Sequence, residues 1–332
     1  KEYEMSSASP LKKAVVLAFP ALILLLPGLL AAQGVDSIPI TRHELSKDVV
    51  LYQPGQSGVF TNMTAVRTAA GTVVFDATNM PVLAKRIRDM IEKDFGAKIA
   101  CLINTHGAPD HTGGNSAFKD VPIYGHEKIK AEIEQMAKWM AGQGNNAPEP
   151  NSEEAKKRRA LMEQRRAAHV EKFKGIFPEI LKEEADNDLL MRAFSQNNQT
   201  GPELPLVPTT LIGERYDLKV GDKTFEILHN TPSYSESDIV IFIPEAETLI
   251  VGDIFNAGRL PSFSRQGTDL DSWTKLFAPF LAVNSGVRHF IGTHGSGIIT
   301  AAEIKEQFNY LTKLSQEVAS LKAAGKSAAE AK

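Results

Sequence analysis

The chain has 332 residues, 42% of them apolar and 23% charged, with a formal charge of −3. This is an ordinary globular composition, and length alone suggests about two domains. The weakly acidic balance gives no basis for nucleic-acid binding. The single cysteine, Cys101, excludes an internal disulfide and reads as a packed core thiol.

The first 35 residues differ in kind from the rest. Lys12-Lys13 precede an uncharged apolar run, Ala14 to Ala32, of about the length that spans a bilayer. A secretory signal removed on export is one reading. An uncleaved anchor is the favoured one, because leucine stands at the −3 position for cleavage after either Ala31 or Ala32. Pro20 and Pro27 kink a membrane helix without forbidding it. The lysines keep the N-terminus in the cytoplasm, so the globular part is expected on the extracytoplasmic (periplasmic) side. It is secreted if the segment is cleaved.

From Ile38 to about Pro81 the chain reads as β-structure, with strands at Val49–Tyr52, Val59–Val66 and Thr72–Phe75. Met80 to Phe95 has helical apolar spacing, and Ile99–Ile103 reads as a short buried strand. Another short strand is expected at Pro122–Tyr124. The composition then shifts to charged, helix-forming residues, an insertion over about 126–196. Its helices are expected at about 126–141, 152–172 and 176–194, with a loop at Gly142–Pro150. Lys156–Arg159 and Arg165-Arg166 are interleaved with acids, which favours a solvated face over an anionic partner. Apolar Leu161, Met162, Val170, Phe173, Ile176 and Phe177 imply that one side packs on something, so the insertion is a natural lid or surface for self-association or a protein partner. Strands return at Thr210–Ile212, Arg215–Val220, Lys223–Leu228, Asp238–Ile243 and Thr248–Gly252. Helices follow at about 270–283 and 300–322, and a frayed tail at 323–332.

The stretch Asn104-Thr-His-Gly-Ala-Pro-Asp-His-Thr-Gly-Gly-Asn115 sets two histidines and an aspartate within six residues, after a strand and before a Gly-Gly pair. Imidazoles and a carboxylate on a sharply turning loop are a divalent-metal donor set. The stretch resembles the His-x-His-x-Asp-His signature of the metallo-β-lactamase fold superfamily, with Ala108 in the second histidine position. Gly252-Asp253 after a strand resembles the family's bridging aspartate. Thr293-His294-Gly295 resembles its last histidine. Thr231-Pro-Ser-Tyr-Ser235 stands where the family has Thr-Pro-Gly-His-Ser, so Tyr234 replaces the third histidine.

The resemblance covers about residues 48–312 and implies an α+β, four-layer αββα sandwich over 36–322, its site at one rim between the sheets. It also implies an aspartate, Asp76, behind the metal loop. Of the family's two metal sites, the first retains only His106, whereas the second retains Asp110, His111, Asp253 and His294. One divalent metal is therefore expected, zinc ahead of iron. Asp110 would be ligand and possible base, and Tyr234 a hydrogen-bond donor to a developing oxyanion, a ligand to a hard metal such as iron(III), or a space-filling residue. His229 reads as a structural histidine, with a substitute-ligand role as the alternative. Arg259, Ser262 and Phe263 are near enough to Asp253 to line a pocket.

The leading functional reading is a mononuclear metal-dependent hydrolase of a small-molecule ester, thioester, lactone or sulfate ester. Two alternatives stand beside it. One is a non-catalytic relative docked in a membrane assembly through its insertion, and the other a one-iron oxidoreductase.

Overall fold

The structure is a computed structural model that describes residues 34–146, 152–175, 179–197, 204–229, 234–258, 269–327 and 330. The expected N-terminal helix over residues 14–32 lies outside the described residues, as do Arg259, Ser262 and Phe263. Among the described residues no helix is long and apolar enough to cross a membrane.

Two sheets form the body. The first has seven strands in sequence order: β1 (Ile40–Glu44), β2 (Val49–Pro54), β3 (Met63–Thr68), β4 (Gly71–Phe75), β5 (Ile99–Ile103), β6 (Ile123–His126) and β7 (Thr210–Ile212). β1 to β4 form an antiparallel meander, and β4 to β7 run parallel. The second sheet contains β8 (Arg215–Val220), β9 (Lys223–His229), β10 (Ile239–Ile243), β11 (Thr248–Gly252), β12 (His289–Gly292) and β13 (Ile298–Ile299), in the order β13-β12-β11-β10-β9-β8. Among the described residues of this sheet, only β11 and β12 pair in parallel.

The period-two pattern of the strands assigns the layers. In β2, Val49 and Leu51 belong to the core between the sheets, together with Phe225, Ile227 and Ile241 of the second sheet. Their neighbours Val50 and Tyr52 point the other way, onto Leu83, Ile87 and Ile91 of α1 (Pro81–Phe95). On the far side, Val240, Leu249 and Val251 pack on Trp273 and Phe277 of α6 (Leu270–Leu281) and on Ile304 and Phe308 of α7 (Ala301–Ala323). The result is the four-layer αββα sandwich. Cys101 lies in the inter-sheet core, where burial pushes its thiol up to about 12.

The insertion departs from expectation in two places. His126 closes strand β6 rather than opening a helix, since the Tyr124–His126 backbone pairs with Thr210–Ile212. The first helix of the insertion, α3 (Ile129–Asn146), instead runs through Gly142–Asn146, expected as loop. Glycine inside a helix costs only about 1 kcal/mol relative to alanine. α4 (Glu153–Phe173) and α5 (Ile180–Asn197) follow. Part of the expected third helix, at 176–178, lies outside the described residues. α4 is tied to α5 by Arg166, which reaches Glu184 and Asp188, while Leu161 stays 47% exposed. Of the other apolar residues expected to pack, Val170 is half-buried, and the side chains of Met162, Phe173, Ile176 and Phe177 lie outside the described residues. α5 in turn packs Ala193 onto the outer face of the first sheet.

Candidate metal centre

The site forms at the rim where β5 and β11 end. After Ile103 the chain enters the signature loop, whose Pro109–Thr112 segment is one helical turn, α2. The loop lies so close to the β4–α1 connection that a Cβ on Gly114 would come within 2.0 Å of the Ala77 carbonyl oxygen. The Gly-Gly pair is therefore a packing requirement, and it fixes the direction of His111.

Asp76 holds the loop from behind. It is fully buried and adopts φ 58°, a left-handed conformation strained for a residue with a Cβ. Its carboxylate accepts hydrogen bonds from Thr105 N and Thr105 Oγ1, both at 2.8 Å, and lies 2.9 Å from His111 Nδ1. A proton on Nδ1 leaves the Nε2 lone pair of His111 free to face the site.

Five side chains converge there. His111 Nε2 lies 3.6 Å from Asp110 Oδ2 and 3.5 Å from Asp253 Oδ2. His294 Nε2 lies 3.4 Å from Asp110 Oδ2 and 3.2 Å from Asp253 Oδ1. His106 Nε2 lies 3.9 Å from Asp253 Oδ2, and its ring centroid is 3.9 Å from that of His111. Two triads, His106/His111/Asp253 and Asp110/His111/His294, each bring three donor atoms within 4.8 Å of one another.

The electrostatics follow from this crowding. Burial opposes charge on His111, but Asp76, Asp253 and Asp110 outweigh it and hold its pKa well above the ordinary imidazole value. His294 is raised in the same way, with Asp253 overcoming burial. Burial would raise Asp253, yet His294 and His111 hold it well below the carboxylate range. Meanwhile the Nε2 atoms of His106 and His111 are buried without a hydrogen-bond partner. Buried polar atoms are rarely left so. A divalent cation among two carboxylates and three imidazoles satisfies these nitrogens, so the donor set fits a metal.

Several residues that sequence reasoning did not single out frame the site. Thr61 Oγ1 donates to Asp110 Oδ2 at 3.1 Å, and Thr293 Oγ1 donates to Asp253 Oδ1. Asn256 donates to Asp253 and accepts from the backbone N–H groups of Thr293 and His294. Glu132 of α3 accepts from Gly107 N (3.1 Å), Glu236 N (2.7 Å) and Ser237 Oγ, clamping the signature loop to the loop that carries Tyr234. Nothing local in the sequence marks Glu132, because its three partners are 25 to 105 residues away.

A cleft of about 550 Å³ opens beside His106, lined by Ala108, Asp110, Glu132, Met136 and Tyr234. The Tyr234 ring meets His106 edge-on, with centroids 5.1 Å apart. The two positions where the resemblance lacks histidines thus both face this cleft. His229 is elsewhere: its Nδ1 lies 3.0 Å from Glu214 Oε2 and its Nε2 3.0 Å from the Glu236 carbonyl.

No curated protein matches the chain. Among solved structures, metallo-beta-lactamase IND-7 is 14% identical, with 81% of this chain and 98% of that one covered at a TM-score of 0.51. A metallo-beta-lactamase from Pontibacter korlensis is 12% identical, with 77% and 92% covered at a TM-score of 0.46. At such identities the IND-7 likeness speaks to the fold alone. The sequence itself matches the metallo-beta-lactamase superfamily over residues 57–285, a stretch that contains His106, Asp110, His111 and Asp253 and ends nine residues before His294. With more than half of its length matched, the chain belongs to the metallo-beta-lactamase superfamily.

Proposed function

We propose that this protein is a mononuclear metal-dependent hydrolase of an ester, thioester, lactone or sulfate ester. In this reading Asp110, His111, Asp253 and His294 hold one ion, zinc ahead of iron, with His106 beside it. The observation that carries the reading is the unpartnered, fully buried Nε2 of His111, fixed by Asp76 and facing two carboxylates. When bound, the ion supplies Lewis acidity and makes water acidic enough to attack near neutral pH.

The chain's own residues do the rest. Asp110 has a side chain 32% exposed, against 5% for Asp253, so it is the carboxylate able to exchange a proton with the cleft. Thr61 orients it. Tyr234 lines the same cleft and donates to negative charge developing on the substrate oxygen. Ala108 leaves room where a family ligand would stand, and the substrate occupies that room. The segment over residues 14–32 anchors the domain on the extracytoplasmic side.

The test is hydrolysis of a panel of the four bond types by full-length protein loaded with zinc or with iron(II), beside Asp253→Ala. Turnover with zinc that is lost in the variant, together with the loss of one bound ion per chain, supports the proposal. Absence of hydrolysis by protein that binds the ion overturns it. Oxidation of a substrate by the iron form alone replaces it with the oxidoreductase reading.

One observation favours a non-catalytic docking role. Leu161, Leu181 and Met191 of the insertion are 47%, 52% and 60% exposed. Self-association that is abolished by Leu181→Glu, in protein inactive with every metal, is the outcome this second reading requires.

A further inference from the structure

A second group of donors lies apart from the site just described. His126 ends β6 in the first sheet, His229 ends β9 in the second, and Glu214 sits in the short link that carries the chain from β7 to β8. Backbone hydrogen bonds fix all three: Glu127 N donates to Ile212 O, and His229 N donates to Glu214 O at 2.8 Å. One donor atom from each side chain lies within 4.8 Å of the other two, and the group shares no residue with the triads above.

We propose that His126, His229 and Glu214 form a second divalent-metal site that braces the two sheets where the chain crosses between them. Two imidazoles and one carboxylate are a zinc donor set that leaves a fourth position for water. His126 is fully buried, and its Nε2 has no hydrogen-bond partner. Burial, and then the neighbouring His229, disfavour the charged form of its ring, and a neutral imidazole offers one nitrogen lone pair to an ion. Glu214 supplies the negative charge, and its side chain is 76% exposed, which opens the cluster to solvent. The 3.0 Å between Glu214 Oε2 and His229 Nδ1 is a spacing that an ion about 2.1 Å from each atom can bridge.

The rings of His126 and His229 stack at 3.8 Å, inclined by 7°. One ion cannot lie in two parallel ring planes, so loading turns a ring. The His126 ring gives up least, because its only hydrogen bond is a long one of 3.4 Å from Lys128 N to Nδ1. Other charges near His126 are Lys128 and Glu132. The site also connects to the catalytic cleft. His229 Nε2 lies 3.0 Å from the Glu236 carbonyl, and Glu236 N is held by Glu132, which also holds Gly107. An ion here therefore stiffens the wall that carries Tyr234.

The experiment is zinc content of the full-length chain after loading with zinc alone and exchange into metal-free buffer. Wild type is compared with Glu214→Gln, His126→Gln and Asp253→Ala. Two ions in wild type are expected, falling by one in each variant. Glu214→Gln changes an exposed side chain, so it keeps the test open should the buried His126→Gln fail to fold. The second ion should bind at least tenfold more weakly in Glu214→Gln. A single wild-type ion, lost only with Asp253, overturns this site and leaves the catalytic reading standing. Two ions retained unchanged in Glu214→Gln and in folded His126→Gln also overturn it. An ion lost with Glu214 while Asp253→Ala keeps its full content upholds this site and removes the catalytic one.

Discussion

Replacing Asp76 with asparagine tests whether the metal loop is organised from behind. The change is isosteric and lies out of reach of the cleft, so any effect on the ion travels through His111. Asp76 Oδ1 accepts from Thr105 N, and Oδ2 accepts from Thr105 Oγ1 and faces His111 Nδ1 at 2.9 Å. An asparagine keeps its carbonyl on Thr105 N and presents its NH₂ to His111. Nδ1 must then become the acceptor, which moves the ring proton to Nε2 and removes the lone pair that faces Asp110 and Asp253. Losing such a supporting carboxylate typically weakens metal binding about 10–100-fold, or about 1.4–2.7 kcal/mol. Competition with a chromophoric chelator measures this directly, with far-UV circular dichroism to show that the fold persists. Affinity within threefold of wild type, in folded protein, would refute the reasoning.

Three other outcomes follow from the geometry. Asp186 of α5 is buried and accepts hydrogen bonds from Gln56 N, Ser57 N and Ser57 Oγ, fixing the loop that leads to Thr61. Asp186→Ala should cost about 2–4 kcal/mol in urea unfolding and lower the rate of hydrolysis at saturating metal; unchanged stability would separate the insertion from the site. In metal-free protein the raised values of His111 and His294 give stability that is complete below about pH 6.5 and lost as pH rises through their folded-state values. The depressed Asp253 gives stability present above about pH 4 and lost on acidification. Metal loading displaces the imidazole protons, so the difference in Tm between zinc-loaded and chelated protein should widen as pH rises from 6 to 8, and a narrowing difference contradicts the ligand set. Tyr234→Phe should lower kcat about 10–100-fold with metal content and KM unchanged; unchanged kcat would mark the ring as space-filling.

The parts of this molecule visible in sequence are those set by local pattern. Alternation in Val49–Tyr52 divides that strand between two cores, and β-branched runs mark β10 and β11 to within a residue. The spacing of Asp110 and His111 from His106 carries the metal loop, and a strand-ending aspartate marks Asp76. What escaped was set by long-range partners. Glu132 is one of two acids in α3 and Asp186 one of four in α5, and each acquires its place from backbone N–H groups at least 25 residues away. His126 read as the start of a helix because strand β6 is completed by β7, which lies more than 80 residues later. The pairing of His126 with His229 depends on two sheets meeting at a rim, which no local periodicity encodes.

The charge arrangement is the physical support for the single ion of the proposed site. Asp110 and Asp253 face the donor cluster with two carboxylates, which balance one divalent cation in a site where Asp253 and three histidines are almost wholly buried. Asp76 is engaged by Thr105 and His111 and faces away from the cleft. A second ion beside the first would find His106 and little else, since Ala108 brings no donor and a phenol such as Tyr234 binds soft divalent ions less readily than imidazole does. It would also add two positive charges where desolvation makes uncompensated charge expensive. In the proposed one-ion site, Ala108 and Tyr234 thus withhold donors from a second ion and line, with Met136 and Glu132, the cleft beside His106. Restoring the imidazoles by Ala108→His together with Tyr234→His should add one bound ion per chain at the cost of that cleft. If the double variant binds no additional metal, the loss of the first site lies in the loop geometry around His106 rather than in its missing ligands.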